Sequence, residues 1–121
     1  TLGFAHLAKH NKIVEGRLNT ESWTTIEEGD SIEISCNDNL LRVEDTKKIT
    51  FSITRIVRFK SFRRMLESVG VKNCLPGIET IRNGVAIYRK LFPEEDEKVR
   101  GVIAVYLTRI SNNLEICRRF L

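Results

Sequence analysis

The chain has 121 residues, 41% of them apolar and 30% charged, with twenty Lys and Arg against sixteen Asp and Glu for a formal net charge of +4. That is the size and balance of one globular domain, able to bury roughly two-thirds of its unfolded surface. The longest apolar runs are of the order of Val102-Ile103-Ala104-Val105-Tyr106-Leu107, whereas a membrane-spanning helix needs about twenty residues, so a spanning helix is excluded; the opening residues carry no signal-peptide pattern.

In chain order, Phe4, Leu7 and Ala8 recur at helical spacing, and Leu2 to His10 is read as the end of a helix. Ile13 and Val14 favour a strand or extended turn over Lys12 to Leu18. Thr20-Glu21-Ser22 opens a short helical turn around Trp23, and Glu28-Gly29-Asp30 is a turn. Ile32, Ile34 and Cys36 alternate with Ser31, Glu33 and Ser35, the pattern of a half-buried strand. Asn37-Asp38-Asn39 is expected to turn that strand into a partner at Leu40–Glu44, and Asp45-Thr46-Lys47 to turn again into Ile49, Phe51 and Ile53.

The period then changes. Phe62, Met65, Leu66 and Val69 define an amphipathic helix with Ser61 as N-cap and Gly70 just past its end. After the Leu75-Pro76-Gly77 loop, Ile81, Val85, Tyr88 and Phe92 define a second helix capped by Thr80. Pro93 ends it or restarts another through Glu94–Lys98, and Gly101 releases the chain into Val102–Leu107. That last segment is apolar on both faces and is predicted to be a central strand. Leu114 to Leu121 is left without an assigned state. Strands joined by tight turns, with two helices before the last strand, predict an α+β fold: a mostly antiparallel sheet curled into a small barrel with flanking helices.

Cys36, Cys74 and Cys117 are odd in number and far apart, with no C-x-x-C. This points away from a disulfide scaffold and toward an intracellular, reducing compartment. His6 and His10 stand i, i+4 on the first predicted helix, but a zinc site needs three or four protein ligands and no further histidine exists. No metal and no cofactor is predicted. The charge is uneven: residues 51–75 carry six basic and one acidic side chain, against six and nine in residues 1–50. Arg55, Arg58, Lys60, Arg63 and Arg64 supply the positive stretch, with Phe59 and Phe62 interleaved. One positive face on a nearly neutral protein suits a polyanion, nucleic acid before membrane, and the competing reading is a solvated surface.

Lys12-x-x-Glu15-x-Arg17 is the constellation with the most chemistry. On a strand Glu15 and Arg17 share a face, and Lys12 joins them only if the chain bends. A carboxylate there holds the cations or acts as a base, and the cations bind phosphate or stabilise an oxyanion. Trp23, the single tryptophan, either stacks on a base or pins its loop to the core.

The run from Lys12 to Asn19, followed by Glu28-Gly29-Asp30-Ser31-Ile32, resembles the ASCH (activating signal cointegrator homology) domain family, whose motif is G-x-K-x-x-E-x-R followed by a G-D turn into a strand. The resemblance continues in Arg58-Phe59-Lys60-Ser61-Phe62, Met65-Leu66, Leu75-Pro76-Gly77, Gly84–Tyr88 and Gly101–Leu107. It covers about residues 4–108 of a single domain 1–121, leaving 109–121 as a C-terminal extension. His10 stands where the family motif has its leading Gly. The resemblance implies a PUA-like β-barrel with a cleft lined by Lys12, Glu15 and Arg17. It also implies nucleic-acid binding, RNA favoured over DNA, with Trp23, Arg58, Lys60, Arg63 and Arg64 as further contacts.

The enzyme alternative is an RNA-directed hydrolase. A ribonuclease would use Lys12 and Arg17 to neutralise a scissile phosphate and Glu15 or His10 to move a proton. Family members that hydrolyse acylated cytidine place Thr where this chain has Glu15, so their nucleophile is absent here and this activity ranks lower. A protein-interaction module with a vestigial cleft is the third class.

Overall fold

The computed structural model describes residues 12–36 and 47–110. In chain order these form β1 (Lys12–Leu18), α1 (Glu21–Thr24), β2 (Ser31–Cys36), β3 (Lys47–Phe59), α2 (Phe62–Val69), α3 (Val71–Cys74), α4 (Ile81–Leu91), α5 (Glu94–Arg100) and β4 (Val102–Arg109). The expected helix before Lys12, the His6–His10 pair, the turn and strand at 37–44, and the segment 114–121 with Cys117 lie outside the described residues.

The strands form one antiparallel sheet in the order β1-β4-β3-β2. β4 is central, as its two-sided apolar pattern predicts: Val102 to Val105 are all 0% exposed. The sequence expectation paired Ser31–Cys36 with Leu40–Glu44. In the structure β2 is laddered along its whole length to β3, from Ser31 opposite Ser52 to Cys36 opposite Lys47; the expected partner Leu40–Glu44 lies outside the described residues. The Glu28-Gly29-Asp30 turn extends this ladder: Gly29 N–H donates to Ile53 O and Ile53 N–H donates to Asp30 O, both at 2.8 Å. Gly29 has φ +95°, a conformation that side chains disfavour.

β3 is much longer than Ile49–Ile53 because it passes through a bulge. The register with β4 shifts between Ile53 and Arg55, so Ile53 lies opposite Leu107 while Arg55 lies opposite Tyr106. An extra residue in one strand turns the alternation over. Ile56, three residues after Ile53, therefore remains on the face of Ile49, Phe51 and Ile53, and Phe59 packs on the other.

The two faces have separate cores. On one, Val14, Leu18, Val102 and Ala104 meet Phe62, Met65 and Leu66 of α2, Val71 and Cys74 of α3, Leu75, and Tyr88 of α4. Phe62 stacks on Tyr88 with ring centroids 4.3 Å apart and on Phe92 at 5.4 Å. On the other, Ile13, Ile49, Phe51, Ile53, Ile103, Val105 and Leu107 meet Trp23, Ile26, Ile32, Ile34 and Ile56. Thus Phe51 and Ile53 share a core with the opposite face of β4 from Val102 and Ala104. Among the described residues the sheet pairs from β1 at one edge to β2 at the other and does not close.

Helix boundaries follow local chemistry. The Ser61 hydroxyl accepts from Arg64 N–H at 3.1 Å, and the Thr80 hydroxyl accepts from Asn83 N–H at 3.1 Å. Gly70, at φ +100°, ends α2 and donates its N–H to Leu66 O. Val71–Cys74, to which the sequence reading assigns no state, makes one more helical turn after it. Glu94, Glu95, Asp96 and Glu97 fill the first turn of α5, where the helix dipole favours negative charge. The buried Glu97 accepts from Arg89 Nη1 at 3.0 Å, which clasps α5 to α4. No helix among the described residues is long and apolar enough to cross a membrane.

Candidate functional site

β1 runs in unbroken register against β4, from Lys12 opposite Thr108 to Leu18 opposite Val102. With no bulge in β1, Lys12 is in phase with Val14 and Gly16, whereas Glu15 and Arg17 are in phase with Ile13. The bend that would gather all three motif residues on one face is absent from this ladder. Glu15 and Arg17 lie opposite Val105 and Ile103, on the face away from α2, α3 and α4.

Glu15 is only 5% exposed. A carboxylate removed from water needs a charge partner, and Arg17 Nε lies 3.1 Å from Glu15 Oε1. The Arg17 side chain is 36% exposed and its guanidinium carbon sits 5.8 Å from the Trp23 ring centroid. Trp23 is half-buried, packed at the margin of the Ile13–Phe51–Ile53 core. It therefore both pins its loop and offers an aromatic surface beside a cation. α1 holds Trp23 there through Trp23 N–H to Thr20 O at 2.9 Å and Thr24 N–H to Thr20 O at 2.8 Å. The loop that follows is tied to β3 by Ile56 N–H donating to Glu28 Oε1 at 3.2 Å.

Gly16 is the thin point of the edge strand. A Cβ there would lie 2.6 Å from Met65 Cε and 2.8 Å from Tyr88 Oη. The missing side chain lets the Tyr88 hydroxyl reach the strand next to Glu15. Tyr88 is 1% exposed, and its hydroxyl makes no hydrogen bond among the described residues. Burial first, then the neighbouring Cys74 and Glu15, push its pKa well above the usual phenol range, against the pull of Arg17. Burial, with Glu15 second, raises the Cys74 thiol to about 11. Cys74 is thus a protonated core residue at neutral pH, not a nucleophile.

The basic stretch divides. Arg58 lies on β3 opposite Ile103, Lys60 follows in the bend, and Arg63 and Arg64 occupy the outer face of α2. All four are exposed and none is ion-paired among the described residues. Arg55, on the other face of β3, lies 5.4 Å from the Tyr106 ring centroid. Tyr106 borders a cleft of about 240 Å³ beside the bulge, whose walls also include Val14, Thr54, Asn73 and Thr108. Neither Glu15 nor Arg17 lines it. The bulge was signalled by the three-residue step from Ile53 to Ile56, but the contact of Tyr88 with Gly16 had no local sequence signal. Among the described residues no group of three or more His, Cys, Asp and Glu is arranged to hold a metal ion.

An α+β chain with an antiparallel sheet and helices packed on one face is the class these elements define. Within it, the chain is similar to the hypothetical protein PH0355, whose crystal structure matches with 33% sequence identity and a TM-score of 0.72 over 90% of this chain and 94% of that one. It is also similar to protein PF0455 from Pyrococcus furiosus, whose solution NMR structure matches with 33% identity and a TM-score of 0.64 over 82% of this chain and 81% of that one. The chain belongs to the family that these two proteins represent. No family model and no curated relative matches it.

Proposed function

We propose that this chain is an intracellular nucleic-acid-binding module of the ASCH kind, with a PUA-like barrel and a preference for RNA. The observation that carries the proposal is the Glu15–Arg17–Trp23 arrangement. A buried carboxylate holds Arg17 at its Nε side, and the partly exposed guanidinium lies beside an indole face. A fixed guanidinium next to an aromatic ring suits an unstacked base together with a phosphate or base carbonyl. Lys12, in phase with Val14 and Gly16 rather than with Glu15 and Arg17, is not counted in this arrangement. Arg58, Lys60, Arg63 and Arg64 provide the sequence-independent phosphate contacts.

Barrel curvature is supported by burial on the face away from α2, α3 and α4. Ile49, Phe51, Ile53, Ile103, Val105 and Leu107 are each 2% exposed or less, and among the described residues the helical cover there is the single turn of α1. A curled sheet hides such residues against one another.

The test is a titration of the protein with single-stranded RNA and DNA oligonucleotides across a range of salt. Affinity should fall steeply with salt, since each neutralised phosphate releases counterion. Replacing Arg58, Lys60, Arg63 and Arg64 together by Ala should flatten that dependence. An unchanged slope would remove the basic stretch from the interface, and absence of binding to either nucleic acid would end the proposal.

A further inference from the structure

The bulge at Thr54 opens a second cleft that the Arg17 site does not use. It lies over the β1–β4–β3 part of the sheet, with Val14 and Tyr106 as apolar wall, Thr54 and Thr108 as hydroxyl-bearing wall, and Asn73 of α3 at its rim. The hydrogen-bonding capacity of these groups is constrained. Asn73 Nδ2 donates to Val69 O at 2.8 Å, which fixes the amide orientation and leaves Oδ1 as an acceptor and one N–H as a donor. Thr54 Oγ1 donates its only hydrogen to Tyr106 O at 3.3 Å and so faces a ligand as an acceptor. Two acceptors beside one amide donor match an exocyclic amine next to a ring nitrogen. No carboxylate lines the cleft, and the Arg55 guanidinium over Tyr106 places a cation at its border. Bulges recur beside binding sites because they re-aim side chains, and this one sets Thr54 and Arg55.

We infer that this cleft binds a nucleotide whose base carries an exocyclic amine. The amine is held by Asn73 Oδ1 and Thr54 Oγ1, and the phosphate is met by Arg55. The nucleotide is either free or an unpaired residue of a strand. Only the strand-borne form rests on the nucleic-acid reading above, since the Arg17–Trp23 pair is not part of the cleft.

The experiment follows backbone amide shifts of the full chain by NMR during titration with AMP, IMP, adenosine and a short single-stranded adenosine oligonucleotide. IMP replaces the amine of AMP by a carbonyl and leaves the rest of the nucleotide in place. Shifts should saturate at Thr54, Asn73, Tyr106 and Thr108, with AMP bound roughly fivefold or more tightly than IMP, the discrimination one well-placed hydrogen-bonded pair supplies. Asn73→Leu should erase the AMP–IMP difference, and Arg55→Gln should bring AMP down to the affinity of adenosine. Asn73 and Arg55 are exposed, so both variants should fold, and their amide spectra report it. Saturation by AMP identifies a free nucleotide as ligand, and saturation by the oligonucleotide alone identifies a strand-borne residue. Equal affinity for AMP and IMP, or shifts confined to the Arg17–Trp23 region, would overturn the inference, as would no cleft shift with any of the four probes. RNA binding without cleft shifts removes this inference alone, and cleft shifts without RNA binding remove only the proposed function.

Discussion

The two faces of the sheet solve burial in different ways. The helix side is a close-packed aromatic and aliphatic layer in which Phe62, Met65, Tyr88, Val102 and Ala104 are each 1% exposed or less. The opposite face buries an equally dry row of strand residues, but at its β1 margin it also carries Glu15, Arg17 and Trp23. One face is close to pure packing; the other places an ion pair and an indole where solvent begins. Substitutions on the helix side should therefore read out in stability, and those at the charged margin in binding.

The largest effect is expected from Phe62→Ala. Phe62 is fully buried and stacked on two rings, and its loss leaves a cavity. Chemical denaturation should show a loss of about 3–5 kcal/mol. A loss below about 1 kcal/mol would mean that the aromatic layer is not the packing centre.

Gly16→Ala comes next. The added methyl meets Met65 Cε and Tyr88 Oη well inside contact distance, and overpacking of this kind costs about 1–3 kcal/mol. A second change, Met65→Leu, shortens the side chain that intrudes and should recover part of the loss. Failure of any recovery would argue that Tyr88, not Met65, is the immovable neighbour.

Alkaline titration sharpens the contrast further. The folded-state pKa of Cys74 is shifted from 9.0 up to about 11, and that of Tyr88 is shifted in the same direction. Both groups are neutral when protonated, and the folded state holds the proton more tightly than the unfolded one. Their stabilisation is thus fully present below about pH 9 and is lost as pH rises through about 11 for Cys74. The melting temperature should fall over this window, and Cys74→Ala should make the fall shallower. A melting temperature equally steep in Cys74→Ala would assign the decline to other groups.

At the charged margin, Glu15→Gln separates a binder from a hydrolase. The amide keeps the shape and still accepts a hydrogen bond, so a binder should lose no more than about 1 kcal/mol of RNA affinity. A hydrolase using Glu15 as base should lose about 10²–10⁴ in turnover with binding nearly intact. Cleavage assays and binding titrations on the same variant decide between them.

Much of the helical side was legible because its signals are local. Ser61 and Thr80 cap the helices they precede, and the spacing of Phe62, Met65 and Leu66 marks the buried face. The central position of β4 was legible from its two-sided apolar run. The ladder of β2 with β3 was not, because pairing Ser31–Cys36 with Lys47–Ser52 depends on a register set across a long connection. The Glu15–Arg17 face was read correctly from strand alternation. The position of Lys12 turned on whether β1 bends, and the even ladder shows that it does not. The approach of Tyr88 to Gly16 is a tertiary contact between residues far apart in sequence, which periodicity cannot encode.

The central claim is that Arg17, held by Glu15 beside Trp23, receives an RNA base or phosphate. Trp23 is the single tryptophan of the chain, so its fluorescence reports on this position alone. Titration with single-stranded RNA should change Trp23 emission in a saturable way, and Arg17→Gln should weaken that response by about tenfold or more, the loss of one charge-assisted contact. RNA binding that leaves Trp23 emission unchanged, or that is identical in the wild type and Arg17→Gln, would contradict the account.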